Sequence, residues 1–494
     1  MLRPVLTCGG LVAATLVLSR AESSLAGALV AIVIVQLASM LLGRGDERRG
    51  ALRSGLGVAR GPYLSRPITA VESSGGAVDS KAVERLGPIS FGVASMQGWR
   101  SHMEDAHCLC AELPGPGPRH HALVGVFDGH GGDFAAQFAS SQLVPVLIET
   151  KEWRRYRTLR MRAARCRRAA RRTAIAHSGG GAHEGHDDDD DYEEEEAEDA
   201  DVPSRSAAGP SVEREAAVKA GDGSDGGAAA AASSAAASEA ATEAEDAAAN
   251  ALGTALQHAF IDLDERLRAA CHDRSGATAC VAVVSPTHIV VANAGDSRCV
   301  LARTAPDVPR AADGAAASAV AGADAAAGAR PSSVTLSRDH KPTDADEHAR
   351  IIAAGGRVVL GRVDGVLNLS RALGDFQFKS TARLGPRAQR VTAWPEVRAR
   401  RRAAGDELLV IGCDGVWDVV SSDLAAAFLV HARNATQPGG QLAKRGDTGP
   451  PSCERLARLL VEASFRNGSH DNITAVVVGG ISPPAAAAHL HHTN

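Results

Sequence analysis

Residues 121–133, HALVGVFDGHGGD, set an apolar run directly before two aspartates, a histidine and three glycines within six residues. HALVGVF reads as a buried strand, and the glycine after Asp128 lets the backbone turn sharply and come close to a ligand. A carboxylate and a neighbouring backbone carbonyl at a strand end are oxygen donors suited to a hard divalent cation. An ordinary Asp-Gly turn is written with the same letters. The two readings separate only if other carboxylates stand at comparable positions.

They do. Glu104 and Asp105 lie in MED, Asp375 ends LSRALGD, Asp414 follows LLVIGC, and Asp471 comes directly before a strand-like NITAVVV. Carboxylates at strand ends share one crevice if the strands pack together. An all-oxygen set with no adjacent Cys/His cluster prefers Mg2+ or Mn2+ to structural zinc. Two such ions would lower the pKa of a bridging water and neutralise a phosphate during hydrolysis, which makes water the nucleophile. Cys413, at the end of an apolar run, reads as packed rather than nucleophilic.

The strand-like segments GATACVAVVS, HIVVANAGDSRCVLAR, DELLVIGCDG and DNITAVVVGG cluster without regular alternation with helices. Two antiparallel sheets covered by helices, an α+β arrangement, follow more readily than a doubly wound sheet. Helical spacing occurs at Phe134, Phe138, Leu143 and Leu147, in ALGTALQHAFIDLDERLRAA, and in SCERLARLLVEASFRN. TDADEHARIIAAGGRV offers Thr343 as an N-cap and Gly355 as a stop.

Around this core the 494-residue chain is unusual, with 51 glycines and only 3% aromatic residues. Its formal net charge of -5 gives no reason to expect a nucleic-acid partner. The nine cysteines have no zinc-like spacing and read as reduced, buried thiols. Residues 151–172 are strongly basic, 187–199 almost wholly acidic, and an Ala/Ser/Gly/Glu tract runs on to Asn250. We read 151–250 as a low-complexity insertion, 304–330 as a shorter Ala-rich one, 46–85 as a linker and 483–494 as a tail, which leaves one catalytic domain over 86–482.

Residues 1–45 are apolar. LAGALVAIVIVQLASMLL, residues 25–42, carries no charge and as a helix would span about 27 Å. It is a candidate membrane tether, and Arg44, Arg48, Arg49 and Arg53 behind it would keep the catalytic domain in the cytosol. The rival is a cleaved targeting segment, with a soluble cytosolic or organellar protein.

The stretches SMQGWRSHMEDAH, GVFDGHGG, ANAGDSR, SRDHKP, GRVDGVLNLSRALGD, CDGVWDV and DNITAVVV, in this order, resemble the PPM family of PP2C-type metal-dependent serine/threonine phosphatases. The resemblance covers about residues 88–150 and 250–480. It implies a central β-sandwich of two antiparallel sheets flanked by helices, in α-β-β-α layers. It further implies that Asp128 bridges two Mg2+ or Mn2+ ions, that the Gly129 carbonyl and Glu104 assist, and that Asp414 and Asp471 serve the first ion. Asp375 matches an acid associated with a weaker third ion, while Asp105 and Asn472 fall to supporting roles. Arg100 would hold phosphate oxygens through paired guanidinium donors, and His130 would protonate the leaving alkoxide. The implied substrates are phosphoserine and phosphothreonine proteins, and the catalytic domain would be monomeric. SGAT carries Ala277 where the family usually has a hydroxyl residue, which puts local support of the site in doubt. A catalytically silent phosphoprotein-binding scaffold of the same fold is the alternative.

Overall fold

A computed structural model describes residues 63–77, 89–113, 121–177, 226–304, 331–435 and 451–483. The described residues open with strands β1 (Tyr63–Ala77), β2 (Ser90–Arg100), β3 (Ala106–Cys110), β4 (Ala122–Phe127) and β5 (Gly129–His130). Helices α1 (Phe134–Glu149), α2 (Lys151–His177) and α3 (Gly226–Ala270) follow. Next come β6 (Gly276–Ala277), β7 (Ala279–Val284), β8 (His288–Ala294), β9 (Arg298–Thr304), β10 (Pro331–Thr335) and helix α4 (Ala345–Ala353). After the short strands β11 (Val358–Val359), β12 (Arg362–Val363) and β13 (Leu373–Gly374) come β14 (Glu396–Arg401) and β15 (Asp406–Gly412). Helices α5 (Asp414–Trp417), α6 (Ser422–Ala435) and α7 (Cys453–Arg466) precede the last strand, β16 (Ile473–Gly479).

Two antiparallel sheets carry the fold, one ordered β1-β2-β16-β15-β9-β10 and the other β14-β8-β7-β4-β3. Alternation along each strand explains how they stack. Val124 and Val126 of β4 join Cys280 and Ala282 of β7, Phe91 and Val93 of β2, Leu409 and Ile411 of β15, and Val476 and Val478 of β16 in the core between the sheets. The intervening residues face outward. Leu123, Phe127, Val281 and Val283 pack under α1 and α3, while Val300, Val410 and Val477 pack under α6 and α7. Strands buried on both faces need apolar residues at every position, which is why these segments read as continuous runs. The result is the expected α-β-β-α layering. A small third sheet, β13-β6-β5, sits where the chain leaves β4 and enters β7.

Several local expectations need correction. α4 is preceded at its N-cap by Asp344 rather than Thr343, and Asp344 Oδ2 accepts from the Lys341 amide at 3.1 Å instead of capping its own helix. The buried stripe of α1 is centred on Ala135, Ala136, Ala139, Leu143, Val146 and Leu147; Phe134 and Phe138 are only half-buried at its edge. Residues 63–77, read as linker, form β1 and pair with β2. Within the stretch read as a low-complexity insertion, α2 and α3 run antiparallel, since Glu152 meets His258 at 3.3 Å and Arg167 meets Glu245 at 2.7 Å. Beneath the arginines, Trp153, Tyr156, Ala163 and Ala170 are buried at near-heptad spacing, which is the apolar seam that a reading of the charges hid.

The membrane tether and membrane-associated location are withdrawn. No helix among the described residues is long and apolar enough to cross a membrane, and the segment 25–42 itself lies outside the described residues.

Candidate metal centre

The ends of strands from both sheets meet at one edge of the sandwich. Asp128 follows β4, Asp296 follows β8, Asp414 opens α5 after β15, and Asp105 comes directly before β3. Carboxylate oxygens of Asp128, Asp296 and Asp414 lie within 4.8 Å of one another, as do ligand atoms of Asp105, Asp128 and Cys413. Burial pushes Asp128 well above the ordinary carboxylate range, and Asp414, Asp105, Asp296 and Asp471 add to the effect. Asp414 is raised in the same way, by burial and then by Asp296, Asp471, Asp418 and Asp105. Burial lifts Asp105 to about 7, opposed by Thr474 and Cys413 and aided by Asp471. Both Asp105 oxygens are buried without a hydrogen-bond partner. Like charges confined in this way repel, and a cation relieves them.

Backbone geometry makes the cluster. The Asp128 amide donates to Thr278 Oγ1 at 3.1 Å, and the Thr278 amide donates back to the Asp128 carbonyl at 2.9 Å. Thr278 Oγ1 also lies 2.7 Å from Ser297 Oγ, beside Asp296. The hydroxyl that supports the site therefore comes from Thr278. Ala277 is fully buried in the apolar core and pairs with Gly129 and Leu373, so its lack of a hydroxyl removes nothing from the Asp128 turn.

The remaining sequence-predicted residues surround the cluster. Arg100 Nη2 donates to Asp471 Oδ2 at 2.6 Å, and the Asn472 amide donates to Asp471 Oδ1 at 2.8 Å. Glu104 Oε1 accepts from the Gly132 amide at 2.9 Å, which ties it to the turn after β5, and its own amide donates to Asn472 Oδ1 at 2.9 Å. Asn472 Nδ2 completes a brace by donating to the Gln97 and His102 carbonyls at 2.8 and 3.0 Å. Glu104 and Asp471 flank the two tight acidic groups rather than joining them.

Asp375 also stands apart. It is 2% exposed, and its Oδ2 accepts from His130 Nε2 at 2.7 Å. Burial alone would lower the His130 pKa, but Asp375, followed by Asp296 and Glu104, outweighs it and holds the ring protonated above its usual range. Asp375 reaches this position from a left-handed backbone, φ 51°, a region that Asp tolerates better than most residues. Gly276 makes the contact feasible, because a Cβ there would run into both the Asp375 carboxylate and the His130 ring.

Sequence reasoning missed Asp296 as a site residue and gave Asp105 only a supporting part. The signal for Asp296 was present: ANAGD ends a strand with Gly-Asp, much as VFDG ends one with Asp-Gly. Lys341 Nζ pairs with Asp296 Oδ2, a contact between segments 45 residues apart that no local pattern announces. Cys413 lies within the acidic group but is fully buried, and burial raises its thiol well above the ordinary range.

A family model described as protein phosphatase 2C matches residues 89–192 and 181–473. The chain is 28% identical over 451 residues to protein phosphatase 2C homolog 2 of Hypocrea jecorina, covering 86% of this chain and 73% of that one. It is 29% identical over 425 residues to probable protein phosphatase 2C 58 of Oryza sativa subsp. japonica, covering 85% and 89%. Among solved structures it resembles a serine-threonine phosphatase 2C from Toxoplasma gondii, with TM-score 0.49, 21% identity, and coverage of 83% of this chain and 99% of that one.

Proposed function

The chain belongs to the protein phosphatase 2C family and is a metal-dependent serine/threonine phosphatase of that type; we propose that its chemistry is carried by the strand-end carboxylates with Arg100 and His130. The supporting observation is the group formed by Asp128, Asp296 and Asp414. Its donor set suits a divalent cation, because burial and mutual repulsion raise Asp128 and Asp414 while Asp105 keeps two unpartnered oxygens. Asp128, Asp414 and Asp471, with Glu104 and the Gly129 carbonyl, would hold Mg2+ or Mn2+, two ions with a weaker third near Asp375. Ions bound there supply an activated water nucleophile and neutralise phosphate charge.

The protein's own groups do the rest. Arg100, part-exposed beside Asp471, offers guanidinium donors to phosphate oxygens in a planar fork. His130 uses Nε2 to hold Asp375, which leaves the Nδ1 proton of the imidazolium to give to a serine or threonine alkoxide as it departs. Glu104 and Asn472 lock the β2–β3 turn against the strand that begins after Asp471. Phosphate release from phosphoserine and phosphothreonine peptides by the full chain, with Mn2+, Mg2+ or EDTA, tests the reading. Release that requires the metal is the expected result; binding of the same peptides without release would establish the scaffold reading instead.

A further inference from the structure

Helix α2 holds eleven Lys and Arg residues in 27 positions and a single acid, Glu152. Its buried side, with Trp153, Tyr156, Ala163 and Ala170, belongs to the seam with α3. The other side is a cationic face. Lys151, Arg154, Arg155, Arg162, Arg165 and Arg168 are all exposed, and at 3.6 residues per turn they occupy an arc of about 140°. Lys151 approaches Glu152 at 3.8 Å. The five arginines have no ion-pair partner among the described residues. Like charges three or four positions apart, such as Arg162 with Arg165 and Arg165 with Arg168, destabilise a helix unless counter-charge is near.

The chain supplies that counter-charge. In DDDDDYEEEEAED, residues 187–199, eleven of thirteen residues are Asp or Glu, more than enough for the six exposed cations of α2. The run lies outside the described residues and starts ten positions after the last residue of α2, His177. The nine residues between them can reach about 30 Å, whereas Arg154 and Arg168 are about 21 Å apart along the helix. Thirteen extended residues span about 43 Å, enough to lie along the whole face. A tether this short gives an effective concentration of about millimolar order, which favours the tethered run over acidic partners dissolved below that concentration.

We propose that the acidic run 187–199 docks along the exposed basic face of α2, as an intramolecular polyanion that an acidic peptide or protein must displace to reach that face. The docking is independent of the catalytic assignment and stands or falls separately from it.

The test compares the full chain with a variant in which every Asp and Glu of 187–199 becomes Asn or Gln, keeping length constant. The probe is a fluorescent poly-glutamate peptide at low and high salt. The neutralised variant is expected to bind it at least tenfold more tightly at low salt, with the gain lost at high salt. Adding Arg154→Gln, Arg162→Gln, Arg165→Gln and Arg168→Gln should abolish the gain while circular dichroism reports an unchanged helix content. Equal probe affinity in the full chain and the neutralised variant would overturn the proposal, as would a gain that survives the four Arg→Gln changes. A full chain that sediments as a dimer, dissociating on neutralisation, would overturn it in favour of docking between copies.

Discussion

At the residue scale the site depends on Gly276, which leaves room for a side-chain contact, and on Thr278, whose hydroxyl links two acidic turns. Gly276 admits the His130–Asp375 contact because any Cβ would occupy the same space. Thr278 joins the Asp128 turn to Ser297 and so to Asp296. If His130 donates a proton to the leaving group, its loss matters only where the leaving group is basic. His130→Asn should slow hydrolysis of a phosphothreonine peptide by about 100-fold or more, yet leave p-nitrophenyl phosphate, whose leaving group needs no proton, nearly unaffected. Equal loss on both substrates would remove His130 from that role. The carboxylates were legible in the sequence, because acids at strand ends stand out against apolar runs, whereas the role of His130 was implied by the family resemblance alone. Asp375 was readable as an acid but not as the partner of His130, since the two are 245 positions apart.

At the element scale, buried charge fixes how the segments around the site meet the sandwich. Asp264 of α3 accepts from the Gly374 amide at 2.8 Å and from Lys379 Nζ at 2.7 Å, and Lys379 also donates to the Ala372 carbonyl at 2.8 Å. These bonds hold both sides of the left-handed turn at Asp375. Glu347 anchors α4 in the same way: it is 1% exposed and bound by Arg371 at 2.6 Å and Arg350 at 2.7 Å. Burial alone would raise its pKa, but the two guanidiniums hold it down at about 2 from 4.5. A depressed carboxylate contributes stability that is complete above its unfolded value and is lost as pH falls through the folded one. Glu347→Gln should therefore cost about 3 kcal/mol at neutral pH, and the gap to the parent in urea unfolding should narrow between about pH 4.5 and pH 2. A gap that stays constant over that window would mean the pair is not the anchor. The hydrophobic pattern of α4 was readable and Arg350 lies one turn from Glu347, but the second guanidinium, Arg371, comes from 24 positions away. α2 was hidden for another reason: its four seam residues are outnumbered by eleven basic ones.

Across the whole molecule, the centre joins the two sheets. Asp128 comes from the five-stranded sheet, whereas Asp414 follows β15 and Asp471 lies two residues before β16 of the six-stranded one. Two sheets covered by helices were legible because the apolar strands cluster without regular helix alternation, and the α-β-β-α order was implied by the family resemblance; β4, β8 and β15 also run apolar into Asp128, Asp296 and Asp414, a contrast that survives without any knowledge of pairing. The pairing itself was not, because β2 and β16 are neighbours from opposite ends of the described chain. A cation held between the sheets should clamp them, and binding to the folded state alone adds about 2.7 kcal/mol at a hundredfold excess over Kd. Asp414 is charged at a cost in the metal-free protein, since burial and neighbouring acids raise its pKa, so Asp414→Asn should be at least as stable as the parent without metal. The decisive measurement is thermal unfolding of the full chain and of Asp414→Asn across a Mn2+ titration at neutral pH. The account predicts that Mn2+ raises the parent's Tm by several degrees and leaves the variant nearly unmoved; an equal Mn2+-dependent rise in both would contradict it.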